Sequence, residues 1–230
     1  MTGRDGTRVA VVVPVYGNAP TLPPLAARLA AALDGRDWRL RLVVDASPDD
    51  SVAVARGLAD ADPRIAVTVL AVNVGQHRAL ARGLADEADA DAWICLDADL
   101  QDPPEAVPLL LDRLARGDLG AVFAGRRGAY ESRPRRLTGN LHRRVAARLT
   151  GLPPDAGAFV AMGPGVRRAV VAAVTEGAPS VVLAVARAGE RTASLPVPRD
   201  VRPEGTSAWT GWARLAQSVR SLAWAVRRRG

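Results

Sequence analysis

The stretch Arg8–Tyr16, RVAVVVPVY, is apolar at almost every position, so a strand built from it has no face to offer water. A strand buried on both sides is the habit of parallel sheets covered by helices. The rest of the first half agrees. Gly17-Asn18-Ala19-Pro20 breaks the run, and Thr21 stands where a helix cap belongs, ahead of Leu22, Leu25, Leu29 and Leu33 on one helical stripe. Further strands are expected at Arg39–Val44, Arg64–Ala71, Trp93–Leu96 and Gly120–Gly125, with helices over Val52–Ala61, Gln76–Ala88 and Glu105–Arg116. Strand and helix alternate to about residue 125, which predicts an α/β fold with a mostly parallel central sheet flanked by helices.

In an open sheet of this kind, ligands collect at the carboxyl ends of the strands. The stretch Trp93–Glu105, WICLDADLQDPPE, places two carboxylates, Asp97 and Asp99, at such an end. Carboxylates there suit a hard divalent cation that also holds substrate phosphates. A solvated acidic turn accounts for the same spacing. Asp102-Pro103-Pro104-Glu105 reads as an N-cap, two first-turn prolines and a capping-box glutamate, so Asp102 is expected to cap a helix rather than bind a ligand. Asp49 and Asp50 are expected to cap the helix after the second strand, and Asn73 and Gly75 to shape a turn. No Gly-x-Gly-x-x-Gly follows the first strand, so a nucleotide would not be held in the dinucleotide manner.

After Gly125 the pattern changes. Arg126–Arg148 is rich in arginine, with a helix expected over Pro134–Leu149. A loop at Gly151–Gly157 carries Asp155; a helix at Val166–Val174, a short element at Val181–Ala188 and a strand at Thr192–Val197 follow. Arg199–Ser207 reads as a loop, and Trp209–Arg229 as an amphipathic helix with Trp212, Leu215, Val219 and Leu222 on one side. A basic amphipathic helix of this kind lies in a membrane interface, or packs on the catalytic domain or on a second copy of the chain, leaving a homo-oligomer open. The division expected is a catalytic domain over residues 1–207 and this helix over 208–230.

The chain has no lysine, and its arginines leave a net charge of +7. Arginine suits bidentate phosphate contacts, so phosphorylated small molecules and an anionic membrane surface are the partners to weigh. Only 4% of residues are aromatic, with none interleaved among basic residues to stack bases, so nucleic acid is not expected. Cys95 is the only cysteine and reads as a core residue. The polar N-terminus and the lack of a long apolar run predict neither a signal peptide nor a spanning helix, hence a cytoplasmic protein, peripheral on the inner membrane face if the last helix binds lipid.

The order strand-Pro-x-Tyr, an acidic loop after the second strand, NVGQHRALARG and DADLQDPPE resembles the family 2 inverting glycosyltransferases of the GT-A fold. More narrowly it is similar to the polyprenyl-phosphate branch, which includes dolichyl-phosphate mannose synthase and the undecaprenyl-phosphate glucosyl- and aminoarabinose transferases. The resemblance spans about residues 8 to 212. It implies a nucleotide-sugar donor, with UDP-sugar preferred over GDP-sugar, Mg2+ or Mn2+ as cofactor, and a polyprenyl phosphate as acceptor. It implies that Pro14, Tyr16 and Asp45 face the base and ribose, and that Asp97, Asp99 and Gln101 form the metal site. It further implies that Arg126 and Arg136 hold the acceptor phosphate, that Asp155 faces the active site, and that Arg202, Gly205 and Ser207 belong to a loop closing over the pyrophosphate.

Four departures stand out. Val44 replaces the first of two acids, Ala158–Ala161 lacks a family arginine, Ala208 replaces a lysine, and the two spanning helices that many members carry are not seen. His77 is either a polar residue at a helix start or a site residue; Asn73 and Gly75 shape their turn first and touch substrate second. Asp155 is either a turn residue or a site acid. A phosphate acceptor is already an anionic nucleophile and needs no strong base; an alcohol acceptor would need one, with Asp155 the candidate. Two other readings are a family 2 enzyme acting on a small-molecule metabolite and a non-catalytic nucleotide-sugar or lipid-phosphate binding module.

Overall fold

Strand β1 (Arg8–Val15) is buried on both faces, as its composition demands: Val9, Val11, Val13 and Val15 enter one core, Ala10 and Val12 the other. The computed structural model describes residues 6–127 and 150–199, together with Trp224. β2 (Asp37–Asp45) and β3 (Ile65–Leu70) lie to one side of β1 and β4 (Ala92–Cys95) to the other, all parallel. β5 (Ala121–Arg127), β6 (Val160–Met162) and β7 (Thr192–Pro198) complete a sheet of order β3-β2-β1-β4-β6-β5-β7. Of these strands only β6 runs against the rest. It was not expected from the sequence, because three residues carry no periodicity.

Helices α1 (Leu22–Ala32), α2 (Ser51–Ala61) and α4 (Val107–Leu114) cover the first core. Helices α3 (Gln76–Asp86), α5 (Pro164–Thr175) and α6 (Val181–Arg187) cover the second. Right-handed crossovers explain the placement of α1, α2 and α3, whereas α4, between β4 and β5, lies on the first face against that rule. The chain steps outward from β1 to β3 with α1 and α2 on one face, then returns across β1 to β4 with α3 on the other. The winding therefore reverses between β1 and β4, which opens a crevice at their carboxyl ends. The antiparallel β6 begins at that same edge, since Cys95 pairs with Val160, so the 155–159 segment also arrives there.

Three capping expectations are corrected. Thr21 makes no side-chain cap; its hydroxyl donates to the carbonyls of Asn18 and of Ala98, tying the start of α1 to the turn after β4. The expected helix at Glu105–Arg116 is a 3-10 turn, Pro104–Ala106, leading into α4, and neither caps through a side chain. Asp102 does not cap it: the turn has Pro103 at its cap position, Asp102 accepts from Arg199 instead, and Glu105 pairs with Arg28 at 2.7 Å. Before α2, Asp50 occupies the cap position without a side-chain bond, while Asp49 accepts from the backbone N–H of Ser51.

Trp224 lies against the second core, with the Arg187 guanidinium 5.5 Å from its ring centroid. That indole is therefore packed on protein. Among the described residues, no helix is long and apolar enough to cross a membrane.

Helix α3 approaches the sheet so closely that a Cβ at Gly83 would collide with the side chains of Val12 and Val43. Gly83→Val should cost about 1–3 kcal/mol through overpacking and lower the thermal midpoint by roughly 2–4 °C per kcal/mol. A melt followed by circular dichroism with an unchanged midpoint would refute this close packing.

Candidate active site

The carboxyl edge of the sheet gathers polar groups that the buried strands cannot hold. After β4 the sequence Asp97-Ala98-Asp99-Leu100-Gln101-Asp102 alternates inward and outward. Ala98 and Leu100 are buried in the first core, while Asp97, Asp99 and Gln101 stay half-buried at the rim. The turn is held by the Gln101 N–H, which donates to Asp99 Oδ1 at 3.1 Å, and by Leu100 at φ 59°. A leucine with positive φ is uncommon, and its burial compensates for the conformation. Ala46, just after β2, is the only other non-glycine residue with positive φ among the described residues, and it lies at the same edge.

Asp45 ends β2 and is only 2% exposed. Its two carboxylate oxygens accept from the N–H groups of Val74 (2.7 Å) and Gly75 (2.8 Å), and its carbonyl accepts from Asn73 Nδ2. The carboxylate expected to face a nucleotide is thus built into the turn before α3. Gly75 takes φ 87°, a conformation that glycine adopts without penalty. The turn delivers Gln76 as the first residue of α3, and its Nε2 donates to Asp97 Oδ1 at 2.6 Å. A continuous set of hydrogen bonds therefore runs from the end of β2 to the end of β4, passing over β1.

Tyr16 stands half exposed beyond β1, next to the half-buried Pro14. The loop carrying Tyr16 is pinned from the β2–α2 loop: Gly17 N–H donates to Ser47 Oγ, Asn18 N–H to Ser51 Oγ and Ala19 N–H to Asp49. Burial alone would raise the Asp49 carboxyl, but hydrogen bonds from Ser47, Ser51 and the Ala19 and Ser51 amides outweigh it and hold it at about 2. Asp49 stays ionised through the neutral range and fixes the rim on which Tyr16 sits.

On the far side, Asp155 packs against Gly125 of β5 beside Ser194 of β7; any Cβ at position 125 would meet both side chains. The backbone of Arg126 lies next along β5, paired with Val197. Asp102 is buried and accepts from Arg199 Nε at 2.6 Å. Burial works against the Arg199 charge, but the Asp102 hydrogen bond and the charges of Asp102, Asp99 and Asp97 more than offset it, raising its pKa. The side chain of Arg126, and Arg136, Arg202, Gly205 and Ser207, lie outside the described residues, as does the expected last helix apart from Trp224.

The edge thus brings together Tyr16, Gly75, Asp97, Asp99, Gln101 and Asp155. Sequence reasoning missed Gln76 and the Asp102–Arg199 pair. Gln76 had a signal, its place at a helix start within NVGQH. Among the described residues no group of three or more His, Cys, Asp and Glu side chains could cage a metal. Two rim carboxylates and an amide oxygen fit a hard cation that keeps some waters and takes the rest of its ligands from a phosphorylated substrate.

Residues 10–172 match the sequence pattern of the family described as Glycosyl transferase family 2, well over half of the chain. The chain belongs to glycosyltransferase family 2. This glycosyltransferase is 34% identical over 171 residues to the undecaprenyl-phosphate 4-deoxy-4-formamido-L-arabinose transferase of Shewanella sediminis, covering 73% of the chain and 50% of that protein. It is 41% identical over 135 residues to the protein of the same name from Pseudomonas aeruginosa, covering 56% and 40%. The chain therefore spans about half the length of the curated relatives it matches. A mannosyltransferase from Pyrobaculum calidifontis in complex with GDP-Man and Mn2+ superposes with a TM-score of 0.69 at 21% identity, covering 98% of this chain and 65% of that one. Glucosyl-3-phosphoglycerate synthase from Mycobacterium tuberculosis, with Mn2+, UDP and glucosyl-3-phosphoglycerate, gives 0.67 at 19% identity, covering 97% and 80%. These identities speak to the fold, which is GT-A.

His77, on the first turn of α3, accepts from the Val181 N–H at Nδ1, and burial pushes its imidazole down to about 4 from 6.5. Between those values the unfolded chain takes up a proton that the folded chain refuses. The contribution of neutral His77 is complete above pH 6.5 and is lost as pH falls towards 4. It sums to about 3 kcal/mol, at about 1.4 kcal/mol per pK unit. Denaturant titrations should show stability falling less steeply from pH 7 to pH 5 in His77→Gln than in the parent; equal slopes would refute the assignment.

Proposed function

We propose that this glycosyltransferase moves a sugar, with inversion, from a nucleoside diphosphate sugar to a polyprenyl phosphate, using Mg2+ or Mn2+ at Asp97 and Asp99 with Gln101 in support. The observation that carries the proposal is the rim carboxylate pair in the β1–β4 crevice, with Asp97 oriented by Gln76. The names of the relatives support the acceptor, and the Mn2+ and nucleotide ligands of the structural neighbours support the donor and cation. UDP-sugar is preferred over GDP-sugar.

The bound cation would act as a Lewis acid, neutralising charge that grows on the leaving diphosphate. The protein's own groups do the rest. Tyr16 and Pro14 line the place for the base and ribose, and the turn of Asn73 and Gly75, locked by Asp45, holds the floor beside them. Arg126 and Arg136 position the acceptor phosphate by bidentate contacts, and Arg202 and Ser207 close over the donor diphosphate. Asp155, on the β5 side, borders the acceptor. A phosphate acceptor attacks as an anion, so Asp155 need not take a proton. Residues 1–207 form the catalytic domain, and Trp224, within 208–230, packs on its second core. Net charge of +7 suits a peripheral position on the anionic cytoplasmic face of a membrane.

Incubation with Mn2+ or Mg2+, a panel of UDP- and GDP-sugars and a short polyprenyl phosphate should yield a glycolipid and free nucleotide, detected by mass. Asp99→Ala should lose about a hundredfold or more in rate with an unchanged melt. Asp155→Asn should stay within about tenfold, as no base is needed. Retained transfer in Asp99→Ala would refute the metal assignment. Collapse in Asp155→Asn would point to an alcohol acceptor instead.

A further inference from the structure

Asp97 and Asp99 are separated by one residue on a turn that already contains a third, buried carboxylate, Asp102. Three negative groups on six residues of a strand end repel one another, and a low-dielectric surrounding magnifies that repulsion. Among the described residues, the fold answers with an arginine delivered from far along the chain. Arg199 leaves the carboxyl end of β7, and its guanidinium is 2.6 Å from Asp102 Oδ1, with side-chain exposures of 18% and 5%. The other Asp102 oxygen is buried without a hydrogen-bond donor among the described residues, so its charge is balanced through Arg199. Asp102 follows Asp97 and Asp99 on the same turn, so the guanidinium it holds stands in the field of the rim pair, and the charges of both add to that of Asp102 in raising the pKa of Arg199.

We propose that Arg199, anchored by Asp102, is a built-in counter-ion of the rim carboxylates: a positioning residue that weakens the site for a bare cation and strengthens it for a cation arriving with a diphosphate. This rests on the reading of Asp97 and Asp99 as the metal site. A fixed positive charge beside a dication site repels the dication. The same charge attracts the donor diphosphate that shares the site. The two effects have opposite signs, and a purely structural ion pair has neither. The arrangement keeps Arg199 charged and aimed without making it a metal ligand, and it ties the end of β7 to the turn on which the cation sits.

The test is calorimetric titration of Mn2+ alone, then of UDP with Mn2+ saturating, on the full chain. Arg199→Gln should bind Mn2+ about three- to tenfold more tightly and UDP several-fold more weakly. Asp102→Asn, which keeps an acceptor for Arg199 and removes a negative charge, should bind Mn2+ more weakly. Arg199→Lys, which keeps the charge, should stay within about twofold of the parent for Mn2+. Because removing one partner of a buried pair can unfold a protein, circular dichroism checks each variant, and any one that folds decides. A folded Arg199→Gln with unchanged or weaker Mn2+ binding, a folded Asp102→Asn with tighter binding, or an Arg199→Lys that loses Mn2+ overturns the proposal. A parent protein that binds no Mn2+ overturns the metal reading itself.

Discussion

The burial of β1 on both faces is the constraint from which the rest follows. A strand with apolar residues on both sides needs helices on both faces of its sheet, and right-handed crossovers then put α1 and α2 on one face and α3 on the other. The interiors of β1 and β4 hold no charged side chain, so at these central strands the charged and hydrogen-bonding groups collect at the ends. At the carboxyl end they collect around the reversal between β1 and β4. That crevice exists because of the sheet's winding, before any catalytic residue is considered.

The carboxylates at this edge divide the work by depth. Asp45 is sunk at the end of β2 and spends its oxygens on backbone N–H groups, which makes the turn before α3 rigid. Asp49 does the same for the loop behind Tyr16. Asp102 is sunk on the other side and holds Arg199. Asp97 and Asp99 stay at the rim after β4, one steadied by Gln76 and the other by the turn's own backbone. The ligand-facing pair is therefore surrounded by acids whose charge is already answered.

Much of this was legible in the residues. The buried strands, the Leu22-Leu25-Leu29-Leu33 stripe and the Asp97/Asp99 pair at a strand end are local patterns, and local patterns report local structure. What escaped was tertiary. Asp102 looked like a cap because Glu105 stood at the capping-box spacing, yet the helical turn starts one residue later, with Pro103 at the cap position, and the true partner of Asp102 lies 97 residues away. Gln76 contacts Asp97 across 21 residues, a pairing that only the fold creates. Asp45 carried the right chemistry for a ligand contact, but its depth at the strand end directed it to Val74 and Gly75. Strand β6 was too short to announce itself.

The central claim is that the β1–β4 crevice binds a divalent cation and a nucleoside diphosphate together. Diffraction from crystals grown with Mn2+ and UDP, recorded at the manganese edge, tests it directly. The account predicts one anomalous peak within coordination distance of Asp97 or Asp99 and of the diphosphate oxygens, with the uracil beside Tyr16. A peak elsewhere on the chain, or UDP bound away from this edge, would contradict it.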